Sequence, residues 1–169
     1  MIVENCGEKW GIGGEKILFQ ALQNPSSGKA LEHMFLGRYE HTIDAKGRLT
    51  IPAKFRGDLA SGTVVTRGID RCLFLFPVTE FEALAARIRE LPITQEESRE
   101  FRRQMFADAS ADIPDKQGRI IVPPYLREYA GVDTHVVVVG LDTYIEIWPA
   151  EAWKNRETPN NLHWEQLGI

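Results

Sequence analysis

Asp44-Ala-Lys-Gly-Arg48-Leu-Thr-Ile-Pro52-Ala-Lys-Phe-Arg56 returns as Asp115-Lys-Gln-Gly-Arg119-Ile-Ile-Val-Pro123-Pro-Tyr-Leu-Arg127, at a constant offset of 71 residues. The Asp, Gly, Arg, Pro and final Arg are identical, and apolar positions face apolar positions. An internal repeat of this kind decides the architecture ahead of any single motif. The match runs back to Met34-Phe35 against Met105-Phe106. With one inserted residue it runs forward from Val64-Val65, Gly68-Ile-Asp70 and Pro77 to Val136-Val137, Gly140-Leu-Asp142 and Pro149. The chain is a tandem duplication of a unit of roughly fifty residues.

Within a copy, Thr42 to Asp44 and Leu49 to Ile51 read as strands around a turn in which Gly47, and Gly118 in the second copy, takes a positive φ. Pro52 then opens a short helix reaching Leu59, at the one place where a missing N–H costs nothing. Val64 to Arg67 with Cys72 to Phe76, and Val136 to Val139 with Tyr144 to Trp148, read as a second hairpin in each copy. Four short strands and a helical turn bury too little apolar surface to stand alone and leave bare edges, so the two copies are expected to close on each other.

Between the copies, Thr79-Glu-Phe-Glu82 reads as a capping box. Phe81, Leu84, Ala85, Ile88 and Leu91 follow at helical spacing up to Pro92. A second box, Thr94-Gln-Glu-Glu97, starts another helix towards Phe106. The fold expected is mainly β with short helices. Its parts are repeat 1 over 34–81, a helical connector over 82–107, repeat 2 over 108–153, and a C-terminal tail over 154–169. Residues 1–33 lie outside the repeat and lack periodicity. They are expected to be disordered, or to follow a translation start placed too early.

Charge and composition narrow the function. The net charge is −4, which speaks against a nucleic-acid partner for the chain as a whole. The charge is polarised, however. Met34 to Ala107 carries 12 Lys and Arg against 10 Asp and Glu, and Asp108 to Ile169 carries 5 against 10. A polyanion is therefore expected at the first copy.

Cys6 and Cys72 have no Cys or His at ligand spacing, and Cys72 sits in the apolar run Cys72-Leu-Phe-Leu-Phe76, as a small core residue would. His33, His41, His135 and His163 show no metal-ligand spacing. Gly11-Ile-Gly13-Gly14 falls short of a dinucleotide fingerprint, and Gly28-Lys29-Ala30 lacks the Ser or Thr of a P-loop. No enzyme, cofactor, metal or small-molecule substrate is expected. No apolar run approaches the ~20 residues needed to span a bilayer, so a cytoplasmic protein is expected.

Met34-Phe-Leu-Gly, the doubled Asp-x-x-Gly-Arg and the Pro four residues after each Arg resemble the MraZ family, over Met34 to about Trp153. The resemblance implies a pair of domains similar to AbrB and SpoVT, forming a swapped-hairpin β-barrel within one chain. It also implies a ring-like homo-oligomer on the nucleoid that binds double-stranded DNA at short direct repeats, upstream of the division and cell-wall gene cluster that it represses. Such a ring would line up basic first repeats against successive phosphates, with avidity replacing monomer charge.

Carried onto this chain, the signature falls on Asp44 and Arg48 and on Asp115 and Arg119. Each Asp is expected to accept from backbone N–H groups or to pair with its Arg, fixing the turn. Arg119 is taken as structural along with Gly47, Pro52, Gly118, Pro123 and Arg127. Lys46 and Arg48 are taken as DNA contacts, with Arg38, Lys54 and Arg56 beside them. Ala109, Gln117 and Tyr125 replace Arg38, Lys46 and Lys54 in the second copy, which points to DNA binding by the first copy and assembly by the second. Arg56 recurs as Arg127, which favours a structural part for it. The rival to DNA binding is an antitoxin-like protein-interaction module, for which Arg99-Glu-Phe-Arg-Arg103 offers a surface.

Overall fold

A computed structural model describes residues 33–156 of the chain. The expectations for residues 1–32 and 157–169 lie outside the described residues. In chain order the strands are β1 (Phe35–Thr42), β2 (Arg48–Thr50), β3 (Thr63–Arg67), β4 (Leu73–Pro77), β5 (Ser110–Asp112), β6 (Arg119–Ile121), β7 (His135–Asp142) and β8 (Tyr144–Pro149). The helices are α1 (Arg56–Leu59), preceded by a 3-10 turn at Ala53–Phe55, then α2 (Val78–Arg89), α3 (Glu96–Phe106), α4 (Pro124–Ala130) and α5 (Ala150–Lys154).

The two copies exchange strands rather than merely touching. A six-stranded antiparallel sheet runs β1-β7-β8-β4-β3-β5, and β2 pairs with β6 in a separate two-stranded ribbon. In the sheet, β1 of the first copy lies on β7 of the second, and β5 of the second lies on β3 of the first. The local hairpin expected from Thr42–Asp44 and Leu49–Ile51 is reduced to a single bridge, Ile43 to Leu49. Instead β2 takes β6 as its partner, with Arg48 opposite Ile121, Leu49 opposite Ile120 and Thr50 opposite Arg119.

The closed barrel that the resemblance implied does not form. The sheet has two ends, β1 and β5, which do not pair with each other. The reason lies in β5, which gives only three residues to the sheet before the chain turns away at Ile113-Pro114 to build the second turn. Its counterpart β1 runs for eight. The Met105-Phe106 echo of Met34-Phe35 is likewise confined to sequence, since Phe35 is a fully buried strand residue and Phe106 is the exposed end of α3.

One core serves both copies. Phe35, Leu49, Ile51, Phe55 and Leu75 pack in the same cluster as Ile120, Val122, Leu126, Ile145 and Ile147. Neither copy holds a complete core of its own, as the short strands required.

The two helices between the repeats cover a second cluster, in which Phe76, Ile88 and Met105 are buried with Phe81, Leu84 and Phe101 against them. Neither capping box forms. Pro77 ends β4 and is itself the N-cap of α2, so Thr79 already lies inside the helix; Gln95 caps α3 with no side-chain bond. The other end of α2 is closed from outside: Arg102 Nη2 lies within hydrogen-bond distance of the carbonyls of Ile88, Arg89 and Leu91, at and just past the terminus, where carbonyls lack their i+4 partners. Leu91 lies beyond the helix and is exposed.

Candidate nucleic-acid interface

Each signature Asp organises its own turn. Asp44 Oδ1 accepts from the backbone N–H groups of Lys46 and Arg48, both at 2.9 Å, and Oδ2 accepts from Arg48 Nε at 2.6 Å. Asp115 repeats this with Gln117 N at 2.9 Å, Arg119 N at 3.0 Å and Arg119 Nε at 2.8 Å. The glycines close the turns through Gly47 N to Asp44 O and Gly118 N to Asp115 O, both 2.8 Å, at φ of 79° and 71°. Both carboxyls are held below the ordinary Asp range. For Asp44 the backbone N–H of Arg48 is the main cause, and for Asp115 the Arg119 side chain.

The turns are also tied to each other. Val122 N donates to Gly47 O and Ile51 N to Gly118 O, each at 2.8 Å, so each copy grips the other's turn glycine. On the ribbon, Leu49 and Ile120 are buried, and alternation puts Arg48, Thr50, Arg119 and Ile121 on the opposite face. Lys46 and Lys116 are exposed on the two turns.

The remaining candidates separate. Lys54 is exposed on the 3-10 turn. Arg38 is exposed on β1 and lines a groove with His41, His135, Trp153, Lys154 and Arg156, where the Arg156 guanidinium stacks on Trp153 at 4.1 Å from its centroid. Arg56 and Arg127 take matching places. Arg56 Nε donates to Ile51 O at 2.9 Å and Arg127 Nε to Val122 O at 3.2 Å. A Cβ on Gly118 would lie 2.5 Å from Arg56 Nε, and one on Gly47 would lie 3.4 Å from Arg127 Nε, so each guanidinium covers the other copy's turn. Arg56, after burial, also holds the His41 pKa below its ordinary value.

Pro52 and Pro123 sit one residue ahead of their helices, as N-caps with φ of −50° and −58°. Their carbonyls take Phe55 N and Leu126 N. Arg48 and Arg119 are held alike by their Asp partners, although the sequence singles out only the first as a DNA contact.

Sequence reasoning missed Lys116. Gln117 does replace Lys46, but Lys116 replaces Ala45, so a lysine is shifted by one position and kept at the second turn. Reading the two turns residue by residue shows it. Of the charged run read as a contact surface, Arg99 and Arg102 are spent on backbone carbonyls of the connector, and Arg103 pairs with Glu100.

The family model described as "MraZ protein, putative antitoxin-like" matches this chain twice, over residues 34–104 and 105–162. The chain belongs to the MraZ family. Among its curated relatives, the transcriptional regulator MraZ of Herpetosiphon aurantiacus is 59% identical over 121 residues, which is 72% of this chain and 85% of the relative. That of Thermobifida fusca is 46% identical over 134 residues, covering 79% of this chain and 94% of the relative. That of Thermomicrobium roseum is 50% identical over 120 residues, 71% of this chain and 84% of the relative.

The boundary between the two MraZ matches falls inside α3, so the helical connector is matched with the first copy. Among the described residues, no helix is long and apolar enough to cross a membrane, and no cluster of three or more His, Cys, Asp or Glu could hold a metal ion.

Proposed function

We propose that the chain is a transcriptional regulator that binds double-stranded DNA as a homo-oligomer, with Lys46 and Arg48 of the first turn leading the contact. The observation that carries this reading is the pair of interlocked turns, each rigidified by its own carboxylate and each presenting a lysine. Counting Asp44, Lys46 and Arg48, or Asp115, Lys116 and Arg119, leaves each turn at a net single positive charge. One such site on an acidic chain binds weakly, so affinity comes from several chains engaging successive repeats.

The second copy carries assembly. Ile113, Ile121 and Tyr125 are 70%, 54% and 46% exposed, where the first copy has Thr42, Thr50 and Lys54. Exposed apolar side chains in place of polar ones suit contact with another protein surface. The domain division read from the repeat, a ring of subunits, a place on the nucleoid in the cytoplasm, and repression of a division and cell-wall cluster from promoter direct repeats all belong to this proposal. The name of the relatives supports the regulatory role, the internal repeat supports the domain division, and the family resemblance supports the rest.

The test is a titration of the purified chain against its own upstream DNA and a scrambled duplex at two salt concentrations. Preference for the upstream DNA, weakening as salt rises, supports the regulator. Arg48→Ala is expected to lose that binding and keep assembly; loss of assembly in this variant would make Arg48 structural. The antitoxin-like description of the family favours a second reading, a protein-interaction module, which gains if neither duplex binds.

A further inference from the structure

We propose that Arg127 is a positioning residue for the first turn, and Arg56 its counterpart for the second, so that each copy aims the turn of the other, and Arg127 aims the turn that leads the DNA contact. This rests on the DNA-binding reading above.

Three contacts meet at the first turn. Val122 N–H holds Gly47 O at 2.8 Å. Val122 C=O takes Arg127 Nε at 3.2 Å. The same guanidinium lies over Gly47, where a Cβ would come within 3.4 Å of both Nε and Cζ. One peptide neighbour, Val122, thus grips the turn glycine with its N–H and the cover of that glycine with its C=O.

The second turn has the same bracket. Ile51 N–H holds Gly118 O, Ile51 C=O takes Arg56 Nε, and Arg56 covers Gly118. Gly47 lies between Lys46 and Arg48, so whatever fixes it fixes the direction of both proposed contacts. Phosphate and base contacts gain most from a backbone that is already in place before binding. A lysine cannot replace this arginine, because it has neither the Nε–H at that branch point nor a flat group to lie on the glycine.

The experiment uses the full chain with Arg127→Lys and Arg127→Ala. Hydrogen exchange of the Gly47 amide is followed by NMR, and binding to the chain's own upstream DNA is titrated across a salt series. Both variants are expected to speed Gly47 exchange and weaken binding by about tenfold, with the salt dependence of wild type retained.

If lysine restores affinity, or if the logarithmic salt slope falls by about 0.9 for the contact removed, Arg127 touches phosphate directly and the positioning role is overturned. Unchanged Gly47 exchange also overturns it. Should the alanine variant fail to fold, the lysine variant, which keeps the charge and most of the stem, carries the test. Should wild type bind no DNA, the DNA reading fails, and the exchange measurement still decides whether Arg127 holds the turn.

Discussion

Leu49 is the register partner of Ile120, and Ile120 is its own counterpart 71 residues later. The ribbon is thus centred on a pair of equivalent residues, and the neighbours fall symmetrically about it: Arg48 faces Ile121 and Thr50 faces Arg119. Two copies that each brought a three-residue strand, and that are too small to fold alone, meet at a local two-fold relationship inside one chain.

Both side chains of the central pair are fully buried in the shared core. Leu49→Ala is expected to destabilise the fold by about 2–5 kcal/mol, and Ile120→Val by about 0.5–1.5 kcal/mol. The two changes should combine non-additively, as direct neighbours do. Urea unfolding of the single and double variants checks this, and strict additivity would mean that the ribbon is not packed as described.

The turns set an acid limit. Asp44 and Asp115 both have lowered folded pKa values, from hydrogen bonds within their turns, against about 3.9 in an unfolded chain. The unfolded state then binds more protons in the window between the two values, so stability rises with pH there. The contribution is present in full above about pH 5, begins to fall near the unfolded value, and is lost as pH falls through the folded values. Carboxyl NMR titration should find both groups below the ordinary range, and Asp44→Asn with Asp115→Asn should flatten the acid limb of stability. Ordinary titration of either group would contradict the turn geometry.

What the sequence made legible follows a physical line. The repeat, the turn chemistry of Asp44 and Gly47, and the pairs β3–β4 and β7–β8 could be read because each depends on neighbours in the chain. The partner of β2 could not, because a three-residue strand with one buried position suits any apolar edge, and only the tertiary exchange selects Ile120. β1 was missed for most of its length although Phe35, Tyr39 and His41 alternate with exposed Arg38, Glu40 and Thr42, the period-two signal of a strand. Arg127 read as structural from its recurrence alone. Its contact with the first turn is non-local and left no trace in spacing.

Cys72 is fully buried, and burial, with Glu146 adding to it, pushes its thiol up to about 12. The thiolate is the reactive form, so this group should be inert at neutral pH while the fold is intact. In a chain carrying Cys6→Ser, a thiol reagent is expected to label Cys72 only after denaturant is added. Prompt labelling in the native protein would place Cys72 at an accessible surface.

Three turn glycines should rank by what their missing side chain would meet. Gly131 has φ of 65° and nothing within 4 Å of a Cβ, so Gly131→Ala bears only the backbone cost, about 1–2 kcal/mol. Gly118, at 71°, adds a clash with Arg56 at 2.5 Å, which is relieved only if Arg56 leaves Ile51 O and uncovers the turn. Gly47, at 79°, would press a Cβ to 2.9 Å of Val122 O, a backbone atom in the ribbon that cannot swing away. Thermal or urea unfolding should therefore give losses in the order Gly47→Ala, Gly118→Ala, Gly131→Ala, largest first. If Gly118→Ala costs no more than Gly131→Ala, Arg56 yields without loss, and its hold on the second turn contributes little to the fold.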